Sequence, residues 1–592
     1  HYPVAPIGKL IIKNKSNYWL QKNMITKPYK ADTAVGTIGR IKNIIATHHI
    51  PVHEMPLGDG VAFCSCRIYV SHDDDMSIGT NGKGMNNEYA LASGYAEFME
   101  RFQNRVIVYP NPASIGESCR FYPDETPYKW NHDEALENIK KFVPRVLPPD
   151  GLKAETVDGV SLPFYHVNSG KVENIPYSLI RWINGSNGMC AGNIREEALI
   201  QGFCEIFERY CMQEMYRRKT VPPDVPLSVF EGTEVLQRLN ELRDSYGMDY
   251  SVKDYSLGEG FPVIGLLLFN EDRTKYILHL GADLNPGIAL ERCYTEIFQG
   301  YTAETLAFEN DVNACERLDM FNEFKRSLMY GRGRQHENFF IASPSYPYSG
   351  HTTIPVGRNF REDLHNICQW IMGKGYDIYI RDNSFLGFPT LHIVVPGLSE
   401  IDHTFCNLNR RISHMQLTEN RINPLFRFAT LNETECLETI EYLSQLNKEA
   451  IELFTRNSNS KNIVNRHLLL MFLHARLGHE KEMIECLEGY AKYCRSQQRP
   501  MRPYYERMLD ILRNTAITDT GEHDYMVARS FLAHPEKALN AIDTPTCFNC
   551  GQCPLSEGCR YPLLKDIECI SQKAMKSNMP AQDSLNEIFS RL

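Results

Sequence analysis

Clustered positive charge is what this chain of 592 residues most clearly lacks. Its 63 lysines and arginines stand against 73 acidic residues, a formal net charge of −10, and short stretches such as "YRRK" (216–219) and "RQHENFF" (334–340) cannot neutralise a run of phosphates. A nucleic-acid partner is therefore not expected. Long apolar runs are missing too: "FPVIGLLLF" (261–269) covers about half of what a membrane helix needs and reads as a buried strand, so no membrane span is expected. The opening stretch "HYPVAPIGKLIIKNKSNYWL" has neither the basic region, the apolar core nor the small-residue cleavage site of a secretory signal. No Gly-x4-Gly-Lys-Ser/Thr occurs, which excludes a P-loop, and "HHIPVHEMP" (48–56) lacks metalloprotease spacing. The 18 cysteines are scattered, apart from one cluster, as the reduced thiols of a cytoplasmic protein would be.

What is present is a globular composition, 43% hydrophobic and 23% charged, long enough for two to four domains. After an N-terminal segment (1–28), residues 29–415 alternate amphipathic helical stretches with short β-branched runs: "CSCRIYV", "KYILHL", "YDIYIRD" and "LHIVVPG". The fold class expected is α+β. After about residue 430 the strand signals stop. "LETIEYLSQLNKEAIELF", "NRHLLLMFLHARLG", "EKEMIECLEGYAKYC" and "MRPYYERMLDILRN" have helical period, which predicts a helical domain over 416–540, either tetratricopeptide-like pairs or a plain bundle. A Cys- and Pro-rich element (541–592) follows.

One helix poses a chemical question. In "SNGMCAGNIREEALIQGFCEIFERY" (186–210) Gln201, Glu205 and Glu208 fall at i, i+4 and i+7, with the two glutamates about 4.5 Å apart along the axis of an otherwise apolar helix. Asn193 with Glu196 reads as its N-terminal cap and Arg217, Arg218 and Lys219 as its end. A lone Glu-x-x-Glu is most often a solvated face. Here "NNEYALASGYAEFMER" (86–101) repeats it: Asn87 as cap, then Ser93, Glu97, Glu100 and Arg101 at the offsets of Gln201, Glu205, Glu208 and Arg209. Four carboxylates on converging helices repel unless cations lie between them, which points to Mg²⁺ bridging to the phosphates of a nucleotide. Glycine-rich stretches precede both helices, "GTNGKG" (79–84) and "NGSNGMCAGN" (184–193). They read as turns whose N–H groups approach an anion, with Lys83 supplying a full charge.

These residues resemble the YcaO family of ATP-dependent enzymes that activate peptide backbone amides, whose hallmarks are Ser-x3-Glu-x2-Glu-Arg and Gln-x3-Glu-x2-Glu-Arg. "TNGKG", "SNGMCAGN", "ALERCYTEIFQG" (289–300) and "VVPGLSE" (394–400) extend the likeness over roughly 29–415. The resemblance implies that Glu97, Glu100, Glu205 and Glu208 hold Mg²⁺ against ATP and that Ser93, Gln201 and Asn187 contact the nucleotide. Lys30 and Thr37 in "YKADTAVGT" match a phosphate-facing stretch, and Arg292 either reaches ATP or pairs with Glu296. The implied reaction is O-phosphorylation of an amide in a peptide or protein, ending as azoline, thioamide or amidine. A homodimer is implied, as is a separate protein that delivers substrate or sulfur. The Pro-x-Pro-x-Pro ending of azoline-forming members is replaced by "SLNEIFSRL". The wording of "SNGMCAGN" and "VVPGLSE" and the helical tail are instead similar to the enterobacterial branch, which is implicated in ribosomal-protein methylthiolation, so a nucleotide-binding accessory role is the alternative expectation.

In the last element Cys547, Cys550, Cys553 and Cys559 stand in Cys-x2-Cys-x2-Cys-x5-Cys spacing. Zn²⁺, an iron–sulfur cluster, and unligated or disulfide-paired cysteines all remain open readings.

Overall fold

The structure, a computed structural model, describes residues 30–590 except 58–63, 71–77, 108–121, 147–150, 300, 309, 313–322, 324–333, 337, 402–407, 410–411, 413–430, 447–448, 454–461, 499, 514–521 and 535–559. The N-terminal segment and the four clustered cysteines lie outside the described residues.

Three antiparallel sheets build the first part of the chain. β1 (Val52–Leu57), β2 (Cys64–Val70) and β3 (Gly79–Gly84) form one in that order. β4 (Thr126–Asn131), β5 (Thr156–His166), β6 (Lys171–Ile175), β7 (Met189–Ala191), β12 (Tyr379–Asp382) and β13 (Thr390–Val394) form the second, in the order β4-β5-β12-β13-β7 with β6 also on β5. β8 (Tyr250–Asp254), β9 (Val263–Phe269), β10 (Lys275–Ala282) and β11 (Asn310–Asp311) form the third, in the order β11-β10-β9-β8. The helices among them are α1 (Ala34–Thr47), α2 (Asn87–Gln103), α3 (His132–Phe142), α4 (Tyr177–Asn184), α5 (Arg195–Arg218), α6 (Glu234–Tyr246), α7 (Pro286–Ile297) and α8 (Phe360–Gly373). The expected strands are all found, and the apolar run at 261–269 is β9, buried along its whole length.

Three times a strand runs directly into a helix laid across it: β3 into α2, β7 into α5, β10 into α7. Each crossing uses glycine for close approach. A Cβ on Gly82 would collide with the Ala90 carbonyl, and Gly94 of α2 lies against Cys66 Sγ; Gly202 of α5 lies against Cys190 Sγ; Gly281 of β10 lies against Cys293 Sγ and the Ala289 carbonyl. This corrects the reading of 79–84 as an anion-binding turn. The segment is a strand, and its glycines make room for the helix. Asn86 rather than Asn87 caps α2, its side chain accepting from Tyr89 N at 2.9 Å. α5 begins after Ile194 with no side-chain cap, so the expected pairing of Asn193 with Glu196 is not formed. It ends as expected at Arg218, with Lys219 in the left-handed region (φ 50°).

α5 lies in one core with Phe203, Phe207 and Cys211 against Phe261, Leu267, Ile380 and Ile393, while α2 supplies Phe98, Met99 and Phe102 to a second core with Ile68, Phe164 and Ile180. The tail helices α9 (Glu433–Gln445), α10 (Arg466–Leu477), α11 (Glu480–Ser496), α12 (Pro503–Leu512) and α13 (Glu522–Ala533) have a core of their own around Leu469, Leu473, Leu487 and Tyr505. The helix expected across 437–454 is interrupted. It stops at Gln445, and β14 (Ala450–Leu453) pairs with β15 (Asn462–Asn465), Ile451 opposite Val464, where β-branched residues favour extended chain.

The chain then returns to the α+β region. α14 (Arg560–Asn578) adds Ile567, Ala574 and Met575 to the α2 core, and Leu585, Ile588 and Phe589, the last two in α15 (Asn586–Phe589), join the α5 core. Gln582 bonds both backbone groups of Asp382 (2.7 and 3.0 Å), whose carboxylate pairs with Arg195 at the start of α5 (2.8 Å). Arg105, fully buried just past α2, pairs with the nearly buried Glu568 of α14 at 2.6 Å. Both acidic helices are thus pinned by the end of the chain. Glu568→Ala leaves the Arg105 charge uncompensated in the interior and is expected to cost about 3–5 kcal/mol. Denaturant unfolding reads this as a fall in midpoint, with Glu568→Gln, which retains an acceptor, falling less.

Candidate functional site

Between Glu197 and Met215, α5 is buried everywhere except at four positions: Gln201, Glu205, Glu208 and Arg209. A helix embedded on all sides can leave a polar stripe only where the packing opens into a cleft, and these are the residues singled out by their spacing. Ser93 and Glu97 of α2 are likewise half-exposed on a helix with a buried opposite face, while Glu100 is almost fully buried.

The two stripes lie within each other's electrostatic reach. Burial pushes the Glu100 carboxyl up to about 8; Arg101 opposes the rise, and Glu205 on the other helix adds to it ahead of Glu97 on its own. Glu208 is pushed up to about 7 by burial, with Arg209 opposing and Glu205 adding. Arg101 reaches Glu97 at 3.6 Å and Glu100 at 3.4 Å, so this cation compensates part of the charge of α2. Glu100 Oε1, the oxygen that lies 3.4 Å from Arg101, is buried and accepts no hydrogen bond.

A third helix completes the cluster. Arg292 and Glu296 of α7 and Gln299 in the turn just past it repeat the offsets of Ser93, Glu97 and Glu100, and Glu296 follows Gly281 by the same 15 residues that separate Glu97 from Gly82. Glu296 pairs with Lys83 of β3. Gln299 donates to Asn81 O at 3.0 Å. Lys83 in turn lies in the fields of Glu97, Glu208 and Glu205, so one ammonium stands among carboxylates from all three helices. Arg292 reaches Asp283 at 3.4 Å, and Glu296 takes Lys83.

The opening residues close one side. Lys30 Nζ donates to Gln201 Oε1 (3.2 Å) and lies 3.7 Å from Glu197, whose other oxygen accepts from Ala31 N at 2.8 Å. Burial lowers the Lys30 ammonium, and Glu197 restores part of the loss. Thr37 Oγ1 donates to Asn193 Oδ1 (2.8 Å), and Arg40 donates to Asn193 O (2.9 Å) and Gly387 O (2.9 Å). Lys30 and Gln201 are therefore brought together, and Thr37 is joined to the same region through Asn193. Asn187 lies elsewhere in the same loop: it is buried, and its amide donates to Ser399 O at 2.8 Å, so "SNGMCAGN" is fastened to "VVPGLSE".

Sequence reasoning missed Glu197, Asn193 in its bonded role, and Glu296. Glu197 had no visible signal among the acidic residues of a first helical turn. Glu296 had one, since "RCYTEIFQ" carries the offsets of the two helices already recognised.

Among the described residues no helix is long and apolar enough to cross a membrane. Residues 81–399 match the profile of a family described as YcaO cyclodehydratase, ATP- and Mg²⁺-binding. Over 407 residues the chain is 27% identical to the ribosomal protein S12 methylthiotransferase accessory factor YcaO of Escherichia coli, covering 64% of this chain and 66% of that protein. Over 356 residues it is 26% identical to an uncharacterised protein of Haemophilus influenzae, covering 56% and 59%. The chain thus spans about 60–66% of the length of these relatives. Among solved structures, YcaO from Methanopyrus kandleri bound with AMPPCP and Mg²⁺ aligns at 16% identity and a TM-score of 0.39, covering 64% of this chain and 95% of that one. A heterocyclase in complex with substrate and cofactor aligns at 18% identity and 0.44, covering 63% and 53%. The family match runs through both four-residue stripes and the third helix and takes in more than half of the chain: this protein belongs to the YcaO family.

Proposed function

We propose that this chain uses ATP and Mg²⁺ to phosphorylate a backbone amide oxygen of a peptide or protein. The observation that carries the reading is the opposition of two carboxylate stripes inside an otherwise buried frame, with Glu205 raising the proton affinity of Glu100 across the gap. Glu97, Glu100, Glu205 and Glu208 are the residues that would hold the metal. The buried Oε1 of Glu100 accepts no hydrogen bond and has a cation, Arg101, 3.4 Å away; oxygen donors are what Mg²⁺ takes, with phosphate oxygens and water completing its shell. When bound, the ion offsets charge on the transferred phosphoryl group. Lys30 and Gln201, bonded to each other at the entrance, together with Ser93, Thr37 and Arg292, are assigned to the nucleotide; Asn187 is assigned to it through the loop it anchors.

In the reaction a nucleophile adds to the amide carbonyl and the resulting oxyanion attacks the γ-phosphorus as ADP leaves. Loss of inorganic phosphate then removes the former carbonyl oxygen. A side-chain nucleophile gives an azoline, external sulfide a thioamide, and an amine an amidine; azoline and thioamide are the products favoured here. The printed name of the E. coli relative supports a second reading, an accessory factor whose nucleotide site governs docking.

Glu205→Ala is expected to lower peptide-stimulated ATP hydrolysis by about a hundredfold or more. If nucleotide binds but no peptide ever stimulates turnover, the accessory role replaces the enzyme. Mass spectrometry of the peptide separates loss of water from exchange of oxygen for sulfur.

A pH dependence follows from Glu100 and Glu208. Both retain protons more firmly folded than unfolded, so the metal-free protein binds more protons in the native state, and its stability falls as pH rises from the ordinary carboxylate range through about 7 and 8. Affinity for Mg²⁺ with nucleotide rises over the same interval because the ion takes the deprotonated form. Thermal melts with EDTA and with Mg²⁺–AMPPCP across pH 5.5–8.5, a range set about these two titrations, should diverge as pH increases.

A further inference from the structure

Lys83 is the one residue of the cluster whose placement the phosphate-binding expectation does not explain. It sits on a strand, three residues before the Asn86 cap of α2, and its ammonium is committed to Glu296 of α7. The stem crosses from β3 to α7 at the point where Gln299 also fastens α7 to β3 through Asn81 O. Burial lowers the Lys83 ammonium, and the charges of Glu97 from α2 and of Glu208 and Glu205 from α5 act against that. Of the other cations near these groups, Arg101 is engaged by Glu97 and Glu100, Arg292 reaches Asp283, and Arg209, beside Glu208 on α5, offsets that carboxylate ahead of Lys83. Lys83 therefore contacts Glu296 of α7 and lies within the field of the glutamates of α2 and α5.

We propose that Lys83 is the resident counter-cation of the carboxylate cluster: it shields Glu296, Glu97, Glu205 and Glu208 while no metal-nucleotide is bound, and it must leave them before divalent ions enter. The inference rests on the metal-site reading above. A lysine ammonium at contact distance offsets carboxylate repulsion directly, and it also competes electrostatically with a free divalent ion. A triphosphate changes that balance, because it offers Lys83 another anion within reach of its flexible stem. Metal and nucleotide then bind cooperatively, each easing the entry of the other, and free Mg²⁺ alone is held poorly.

The test is titration of the full chain with Mn²⁺, followed by the electron paramagnetic resonance of the free ion, with and without AMPPCP. Lys83→Met is expected to bind Mn²⁺ without nucleotide about tenfold more tightly than the unsubstituted protein, and to show a correspondingly smaller gain when AMPPCP is added. Lys83→Arg, which retains the charge, is expected to behave like the unsubstituted chain. In EDTA, Lys83→Met should melt below the unsubstituted protein and recover with Mn²⁺. Lys83→Gln is the second variant should the methionine protein not fold. Equal or weaker nucleotide-free Mn²⁺ binding in Lys83→Met or Lys83→Gln overturns the inference. Failure of the unsubstituted chain to bind Mn²⁺ even with AMPPCP overturns the metal-site reading itself, so the two failures are distinguishable.

Discussion

Like charges brought together in a low-dielectric setting are the constraint on which this structure turns. Glu97 and Glu100 on α2, Glu205 and Glu208 on α5 and Glu296 on α7 approach one another on helices whose remaining faces are packed away. Such an arrangement is stable only if protons, internal cations or bound ions offset the repulsion. The protein uses the first two: the carboxyls of Glu100 and Glu208 hold protons more tightly than usual, and Lys83 and Arg101 are drawn into the cluster. On the proposed function, repulsion that stabilising packing must overcome in the metal-free protein would become binding energy for a divalent ion with its nucleotide.

The frame that enforces this convergence is built from crossings where a helix lies hard against a strand. Gly82 with Gly94, Gly202 with Cys190, and Gly281 with Cys293 let three helices approach their strands at equivalent points, and the glutamate three residues beyond each helical partner is carried to the shared centre. The clamp formed by the end of the chain has the same purpose at longer range: Glu568 holds the turn after α2, and Gln582 holds Asp382 and through it Arg195 of α5.

Much of the site was legible because period and offset are local properties. Ser93, Glu97, Glu100 and Gln201, Glu205, Glu208 are related by helical geometry alone, and burial around them in α5 agrees with what the sequence implies. The α+β alternation and four of the five described tail helices, α9 to α12, were legible for the same reason, whereas α13 was not named. What was not legible depends on contacts distant in sequence. Glycine before a helix has two physical uses, close approach to an anion and close approach to backbone, and only the tertiary packing of Gly82 on Ala90 separates them. Asn193 has the composition of a cap, but its amide is taken by Thr37, 156 residues away, so the cap is not made. The strand around Ile451, which pairs with that of Val464, lies inside a window whose helical period was equally good.

The central claim is that carboxylates of two helices share metal with one triphosphate. The most direct measurement is a crystal structure of the chain grown with Mn²⁺ and AMPPCP, with anomalous scattering used to locate the metal. The account predicts manganese peaks between Glu97/Glu100 and Glu205/Glu208 with phosphate oxygens completing the coordination; nucleotide seated elsewhere, or bound here with no metal at these glutamates, would contradict it.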